Sequence, residues 1–411
     1  MNQNTEGRFA YLLMVDPICN NNKFYQMTVT GDTLICKYGR VGQEGTQTTY
    51  PASRFDSIYR QKTGKGYQDR THLVSVPTVT KKGELEYKEI DDELVRELVE
   101  RLQMYAHQTL TKNYNVSYKK VTKKMISEAQ KLIQQLSDIF KKDDISDAVR
   151  IHEFNEVLSK LFTVIPRKMQ HVASHLANET KDLEKILKKE QNLLDVMKGQ
   201  IDVDAIEEKA SGDQECKNNF TILEKLGIEI YECTKEDMET IKGMYNGKRP
   251  IKRAFRAINK QTEGRYQKYV EEHTATTPML LWHGTRNENV WSILGTGLML
   301  NPKAVITGKM FGHGIYFAPS AQKSLGYTSL DGSYWAGGRS DTGFMLIFET
   351  AYGNPLFVHR LDDHGSLNSK NFEKRHPGHQ VLHAKAGKML RNDEIIFYHE
   401  DQMTVRYIVE F

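Results

Sequence analysis

Leu281-Trp282-His283-Gly284-Thr285-Arg286, followed by Gly312-His313-Gly314-Ile315-Tyr316-Phe317-Ala318, is the stretch on which the reading of this chain turns. The apolar run Met279–Trp282 reads as a buried strand. His283 therefore stands at a strand end, where the backbone can hold it rigidly. Gly284 lets a ligand approach the main chain. Tyr316 lies in a second apolar run that follows glycine. Pro319-Ser320 reads as a helix start with Ser320 as N-cap and the helix running towards Gly326. Ser324 and Tyr327 are three apart and share a face if the helical turn persists. Farther on, Asn392-Asp393-Glu394-Ile395-Ile396 places carboxylates at the opening of another apolar strand. A charge at the edge of a buried strand is costly without a partner or a task. Spacing alone does not choose among Asp393, Glu394 and Glu400.

In that order these residues can build a pocket for NAD. An imidazole at His283 can hydrogen-bond a ribose hydroxyl, and the Gly284 amide and carbonyl can clamp a planar carboxamide. The Ser324 hydroxyl can bond the same carboxamide. Tyr316 can line one side of the nicotinamide, and Tyr327 can stack on the cationic ring. A fixed carboxylate on the ribose 2′-hydroxyl stabilises the positive charge that grows there as the glycosidic bond breaks.

At 411 residues the chain is expected to form two to three domains. No apolar run is long enough to span a membrane as a helix, and Met1–Arg8 lacks the apolar core of a signal peptide. An intracellular, reducing setting is expected. Cys19, Cys36, Cys216 and Cys233 include no C-x-x-C pair, so neither a zinc finger nor a disulfide framework is indicated. A net charge of +4 permits a nucleic-acid partner without demanding one.

Three textures succeed one another. Residues 1–85 read as a small antiparallel β domain. Phe24–Thr30 alternates, Gly31-Asp32 turns, Leu34–Tyr38 follows as the next strand, and Arg54–Gln61 reads as a helix ended by Gly64. In residues 90–212 glycine nearly vanishes. Ile126, Ala129, Ile133, Leu136 and Phe140 step by three and four, as do Leu183, Ile186, Leu187, Leu194 and Met197, which marks an all-α bundle. Asp144–Asp147 and Asn178–Thr180 read as helix starts. Ser211-Gly212-Asp213-Gln214 reads as a linker. Residues 213–411 regain glycine and aromatics and read as a mixed α/β domain. Its strands lie at 279–282, 344–348, 395–398 and 405–409, and a helix at Asn289–Leu294 is closed by Gly295. The fold class is multidomain α+β.

The block from Leu281 to Tyr327, with Glu394 and the strand from Gln402 to Val409, resembles the catalytic domain of the poly(ADP-ribose) polymerases. The resemblance places the family's His-Tyr-Glu triad on His283, Tyr316 and Glu394. The register of Gln402–Tyr407 selects Glu394 over its acidic neighbours. It also implies nicotinamide contacts at Gly284, Ser324 and Tyr327, adenosine-side contacts at Thr285 and Asn289, and a family lysine near the acceptor at Lys323. NAD would be the co-substrate, with no metal. Upstream, Asn21–Tyr25 and Tyr38-Gly39-Arg40-Val41-Gly42 resemble a WGR domain with its Trp replaced by Tyr38. Leu158–Pro166 resembles the helical regulatory domain of the DNA-dependent subgroup that lacks zinc fingers.

From the resemblance one expects a DNA-strand-break-activated polymerase, nuclear in a eukaryote, that modifies proteins including itself. DNA would be met by Lys23, Lys37, Tyr38 and Arg40, in a segment with nine Lys/Arg against six Asp/Glu over residues 1–80. The chain stops at Phe411 without the aromatic tail of some nuclear members, so a serine-directing accessory factor is not expected. A mono-ADP-ribosyltransferase, or a DNA-end scaffold with a dormant catalytic domain, are the alternatives.

Overall fold

A computed structural model describes residues 8–73, 87–114, 121–142, 144–210, 220–300, 310–333, 336–359, 364–388 and 390–411. The expected linker Ser211–Gln214, Cys216 and the segment 1–7 lie outside these residues. The described residues fall into two compact units, one drawn from 1–83 and 108–201, the other from 84–107, 202–302 and 308–411.

The first unit opens with strands β1 (Phe9–Asp16), β2 (Asn21–Thr30), β3 (Thr33–Arg40) and β4 (Thr46–Pro51), helix α1 (Phe55–Gly64) and the short β5 (Gln68–Asp69). The sheet is antiparallel, ordered β4-β3-β2-β1-β5. Strand alternation buries Leu12, Met27, Leu34 and Cys36 against Phe55 and Ile58 of α1. This is the small β domain expected from the sequence.

The helical part uses α2 (Glu93–Asn113), α3 (Lys123–Phe140), α4 (Asp147–Val164) and α5 (Thr180–Ala210). The expected helix starts are present. Ser146 Oγ accepts from the Val149 amide, and Asp182 Oδ2 accepts from the amides of Asn178 and Glu179. Ile126, Ala129, Ile133 and Leu136 meet Leu183, Leu187, Leu194 and Met197 in one core. A polar layer crosses that core. Arg167 and Glu190, both buried, pair at 2.8 Å, and Gln130 and Gln191 bond side chain to side chain at 2.9 Å.

The packing units run across the three-segment division read from the sequence. From α2, Val95, Leu98, Val99 and Leu102 enter the core of the second unit, and from α5 so does Val203, while Leu110 belongs to the core of the first.

The second unit continues with α6 (Ile222–Leu226), β6 (Ile228–Glu232), α7 (Lys235–Met244), β7 (Arg253–Asn259), α8 (Lys260–Glu272), β8 (Thr277–Gly284), α9 (Asn287–Thr296), β9 (Ile315–Phe317), α10 (Ala321–Leu325), β10 (Phe344–Tyr352), β11 (Pro355–Val358), α11 (Phe372–Arg375), β12 (Val381–Ala384), β13 (Glu394–Phe397) and β14 (Met403–Glu410). One sheet is ordered β6-β7-β14-β10-β8 and the other β11-β12-β13-β9. Among the described residues the ladders of this unit are antiparallel except β11–β12. The two sheets meet where Trp282 and Ala318 exchange backbone hydrogen bonds of 3.0 and 3.1 Å. Gly295 does not close its helix as expected. α9 runs to Thr296 and ends at Gly297, whose φ is +78°. Gly295 sits inside the helix, where a Cβ would meet Val203 at 2.9 Å, so the glycine marks a packing contact and not a stop.

Candidate active site

The junction of the two sheets gathers the residues singled out in the sequence. His283 lies at the C-terminal end of β8, opposite Leu346 of β10. Its Nδ1 is 3.1 Å from the carbonyl oxygen of Tyr316. A carbonyl only accepts, so Nδ1 carries a proton, and in the neutral ring Nε2 is the acceptor. The rings of Phe317 and Phe348 stand at steep angles to the imidazole, with ring centres at 5.5 and 6.1 Å. Tautomer and orientation are therefore set by the neighbouring strand and by packing.

Gly284 follows, and no other residue fits there. A Cβ would come within 1.9 Å of the Ser324 carbonyl oxygen. That contact seats α10 directly on β8. Ser324 is 4% exposed, and its hydroxyl donates to the carbonyl of Trp282 at 3.2 Å, which leaves the oxygen's lone pairs for a second partner. Tyr327, bonded through its amide to the Ser324 carbonyl at 3.0 Å, is 41% exposed. The turn thus persists past α10 and carries a buried Ser324 and, three residues on, a partly exposed Tyr327. Ser320 is the N-cap by position, yet its side chain makes no cap bond. Asn246 supplies it instead: Oδ1 accepts from the Gln322 amide at 3.2 Å, and Nδ2 donates to Ser320 Oγ at 3.0 Å.

Tyr316 stands opposite Ile396 of β13. Its hydroxyl donates to the Gly312 carbonyl and accepts from the Phe311 amide, each at 3.0 Å. Gly312 has φ +75°, and a Cβ would strike the Leu367 carbonyl oxygen at 2.1 Å, so the loop that holds the tyrosine depends on glycine. Burial, with the charge of Glu394 adding, keeps the phenol protonated by raising its pKa. Glu394 opens β13 and forms an ion pair with Lys323 of α10, each side chain 13% exposed. Thr285 is buried, and its Oγ1 accepts from Asn289 Nδ2 at 3.3 Å on the first turn of α9.

His283, Gly284, Tyr316, Lys323, Ser324, Tyr327 and Glu394 are thus linked by direct contacts or by short segments of one wall. Asp393 immediately precedes β13. It turns to the other face, where it is bound by His383 and Lys385. Asn246 gave no signal in the sequence, because its helix cap forms between residues far apart in the chain. Among the described residues no group of three His, Cys, Asp or Glu could hold a metal ion.

The four residues expected to meet DNA are placed differently from one another. Lys23 and Lys37 are exposed. Tyr38 is half-buried, stacked on Tyr25 with ring centres 5.2 Å apart, its hydroxyl 3.3 Å from Thr48 Oγ1. Lys62 Nζ lies 4.0 Å from the Tyr25 ring centre and 5.8 Å from those of Tyr38 and Tyr67. Arg40 turns inward. Its guanidinium donates to the carbonyls of Asn20 at 2.9 Å, Met169 at 3.1 Å and Gln170 at 2.5 Å.

Residues 230–411 match the family model of the poly(ADP-ribose) polymerase catalytic domain, and residues 8–74 match that of the WGR domain. The poly(ADP-ribose) polymerase-like protein 100L of Invertebrate iridescent virus 6 is 36% identical over 148 residues, which are 35% of this chain and 76% of that protein. Uncharacterized protein 101L of the same virus is 32% identical over 183 residues, 44% of this chain and 73% of that protein. Poly(ADP-ribose) polymerase 2 of Zea mays is 24% identical over an alignment covering 95% of this chain and 68% of that protein. The fold is that of an NAD-dependent ADP-ribosyltransferase. The chain belongs to the poly(ADP-ribose) polymerase family.

Proposed function

We propose that this chain transfers ADP-ribose from NAD to protein acceptors including itself, extends it into polymer, and is stimulated by DNA strand ends. The observation that carries the reading is the convergence of a Nδ1-protonated His283, a buried Ser324 with Tyr327 three residues on, and a carboxylate, Glu394, paired with Lys323. NAD supplies an electrophilic ribose carbon bearing a cationic leaving group.

His283 Nε2 accepts from a ribose hydroxyl. The Gly284 main chain and Ser324 Oγ hold the carboxamide, and Tyr327 and Tyr316 flank the nicotinamide ring. The Thr285–Asn289 pair serves the adenosine side. Glu394 stabilises the positive charge on the ribose as the bond to nicotinamide breaks, with the bonding electrons leaving on nicotinamide. It then accepts a hydrogen bond from the attacking acceptor hydroxyl and takes that proton as the new C–O bond forms. Lys323 fixes the carboxylate. The WGR match supports DNA as the partner of the first unit, with exposed Lys23 and Lys37 as phosphate contacts. No helix among the described residues is long and apolar enough to cross a membrane.

The test is incubation with labelled NAD, with and without nicked DNA. Ladders that grow when DNA is added support the whole reading. A single product band would reduce it to mono-transfer. No labelled protein in either arm would leave a DNA-binding scaffold.

A further inference from the structure

We propose that Asp393 and His383 are positioning residues that fix Glu394, resting on the role given to Glu394 above. The last backbone pair of the β12–β13 ladder is Ala384 with Glu394. Beyond it the Gly387 amide donates to the Leu390 carbonyl at 2.8 Å, and side-chain bonds converge on Asp393. Its Oδ1 accepts from the Ala386 amide at 2.7 Å, and its Oδ2 accepts from Lys385 Nζ at 3.0 Å and faces His383 Nε2 at 2.8 Å. On the other side of the same ring, Nδ1 of His383 is 2.7 Å from the hydroxyl of Tyr352.

The proton order follows from the ends of this chain. A carboxylate only accepts, so Nε2 carries the proton and donates to Asp393. Nδ1 is then an acceptor and takes the hydrogen of Tyr352. His383 is only 7% exposed, which suits a neutral ring held between a phenol and a carboxylate. Burial would raise the Asp393 pKa, but the bonds from Ala386, Lys385 and His383 outweigh it and hold the carboxyl at about 2.

The connection has a direction in space as well. Tyr352 ends β10, the strand that pairs along its length with β8, which carries His283 and Gly284. His383 belongs to β12, in the sheet that holds Glu394 and Tyr316. The relay Tyr352–His383–Asp393 therefore joins the sheet of the imidazole to the hairpin of the carboxylate. Asp393 and Glu394 share a peptide unit and project to opposite faces. Locking the first on three donors fixes the backbone torsions from which the second is aimed at Lys323.

The test uses the full chain. Asp393→Ala should lower kcat for NAD consumption about tenfold or more, with KM for NAD changed less than about twofold, because a misaimed group loses transition-state contact before it loses binding. In the Glu394→Gln background the same substitution should change kcat less than about twofold, since residues acting through one another are not additive. His383→Gln, whose amide can take one bond from Tyr352 and give one to Asp393, should retain more activity than His383→Ala. Where Asp393→Ala does not fold, Asp393→Asn replaces it. In parallel, the ¹³C resonance of the Glu394 carboxyl should move in either Asp393 variant. Equal losses in the wild-type and Glu394→Gln backgrounds would overturn the proposal, as would an unmoved resonance. If the wild-type chain consumes no NAD, the functional reading fails by itself, and the resonance alone decides the positioning role.

Discussion

The guanidinium of Arg40, on the last residue of β3, is bound by the carbonyl oxygen of Met169, which lies just beyond α4. Gln170 and Asn20 share the same side chain, and Asn20 Oδ1 in turn accepts from the Val172 amide. One arginine thus joins the β domain to the helical segment within a single compact unit. Its planar fork suits several carbonyls at once, which a lysine cannot match.

Arg40→Ala should reduce stimulation by nicked DNA and spare the DNA-independent rate. Arg40→Lys separates the two roles open to this residue. If the carbonyl contacts matter, the lysine variant keeps DNA affinity and still loses stimulation. DNA binding by fluorescence anisotropy, measured beside NAD turnover, decides. Stimulation equal to wild type in both variants would end the idea.

Glu394→Gln should lower chain extension by about 10²–10³-fold while NAD still binds, because the neutral amide no longer balances charge that exists only in the transition state. Lys323 would then face an amide. Extension at the wild-type rate, read from labelled ladders, would remove Glu394 from the chemistry.

Nicotinamide-like carboxamides should compete with NAD. Tyr327→Ala should weaken a benzamide-type ligand by about 1–3 kcal/mol, from lost stacking and burial against an exposed ring. Calorimetry on the two proteins gives the number directly, and an unchanged dissociation constant would place Tyr327 outside the pocket.

His175 supplies a pH prediction for the helical core. Its ring stands nearly perpendicular to that of Phe162, and burial, aided by Lys189 and Arg167, lowers its pKa from 6.5 to about 4. The neutral ring is favoured in the folded state, so the contribution is complete above pH 6.5 and is lost as pH falls towards 4. Between pH 6.5 and 5, before most carboxylates titrate, urea stability of the first unit should drop with acidity. His175→Phe should flatten that slope. An identical slope in the variant would show that another group is responsible.

A fragment of residues 213–411 should be markedly unstable. It lacks Val95, Leu98, Val99, Leu102 and Val203, all buried in the core of the second unit. Losing them removes roughly 5 kcal/mol or more of apolar burial. Urea melts should place its midpoint well below that of the full chain's second unit, and adding back a peptide spanning 87–107 should raise it. A fragment as stable as the parent would mean that α2 is dispensable to this core.

Much of this architecture could be read from the residues. Period-two and period-three-to-four patterns gave β2, β3, α3 and α5, since each buries one face. His283, Gly284, Ser324 and Tyr327 could be found because strand ends and turns announce themselves locally. What could not be read depends on chain-distant contacts. Gly295 reads as a helix stop until Val203 is seen above it. Arg40 reads as a surface cation until the Met169 carbonyl appears. The opposite facing of Asp393 and Glu394 needs the strand start to be known within one residue, and boundaries are what periodicity defines least well.

The placement of β14 bears on how the protein is made. This last strand, Met403–Glu410, lies in the middle of its sheet, between β7 and β10. The first unit has all its described parts once residue 201 is synthesised. The apolar side of α2 over 95–102 emerges far earlier than the strand that completes its destination. At ordinary translation speeds that stripe would wait roughly 15–60 s on the nascent chain. A cell producing this enzyme must shield it from other chains throughout that interval.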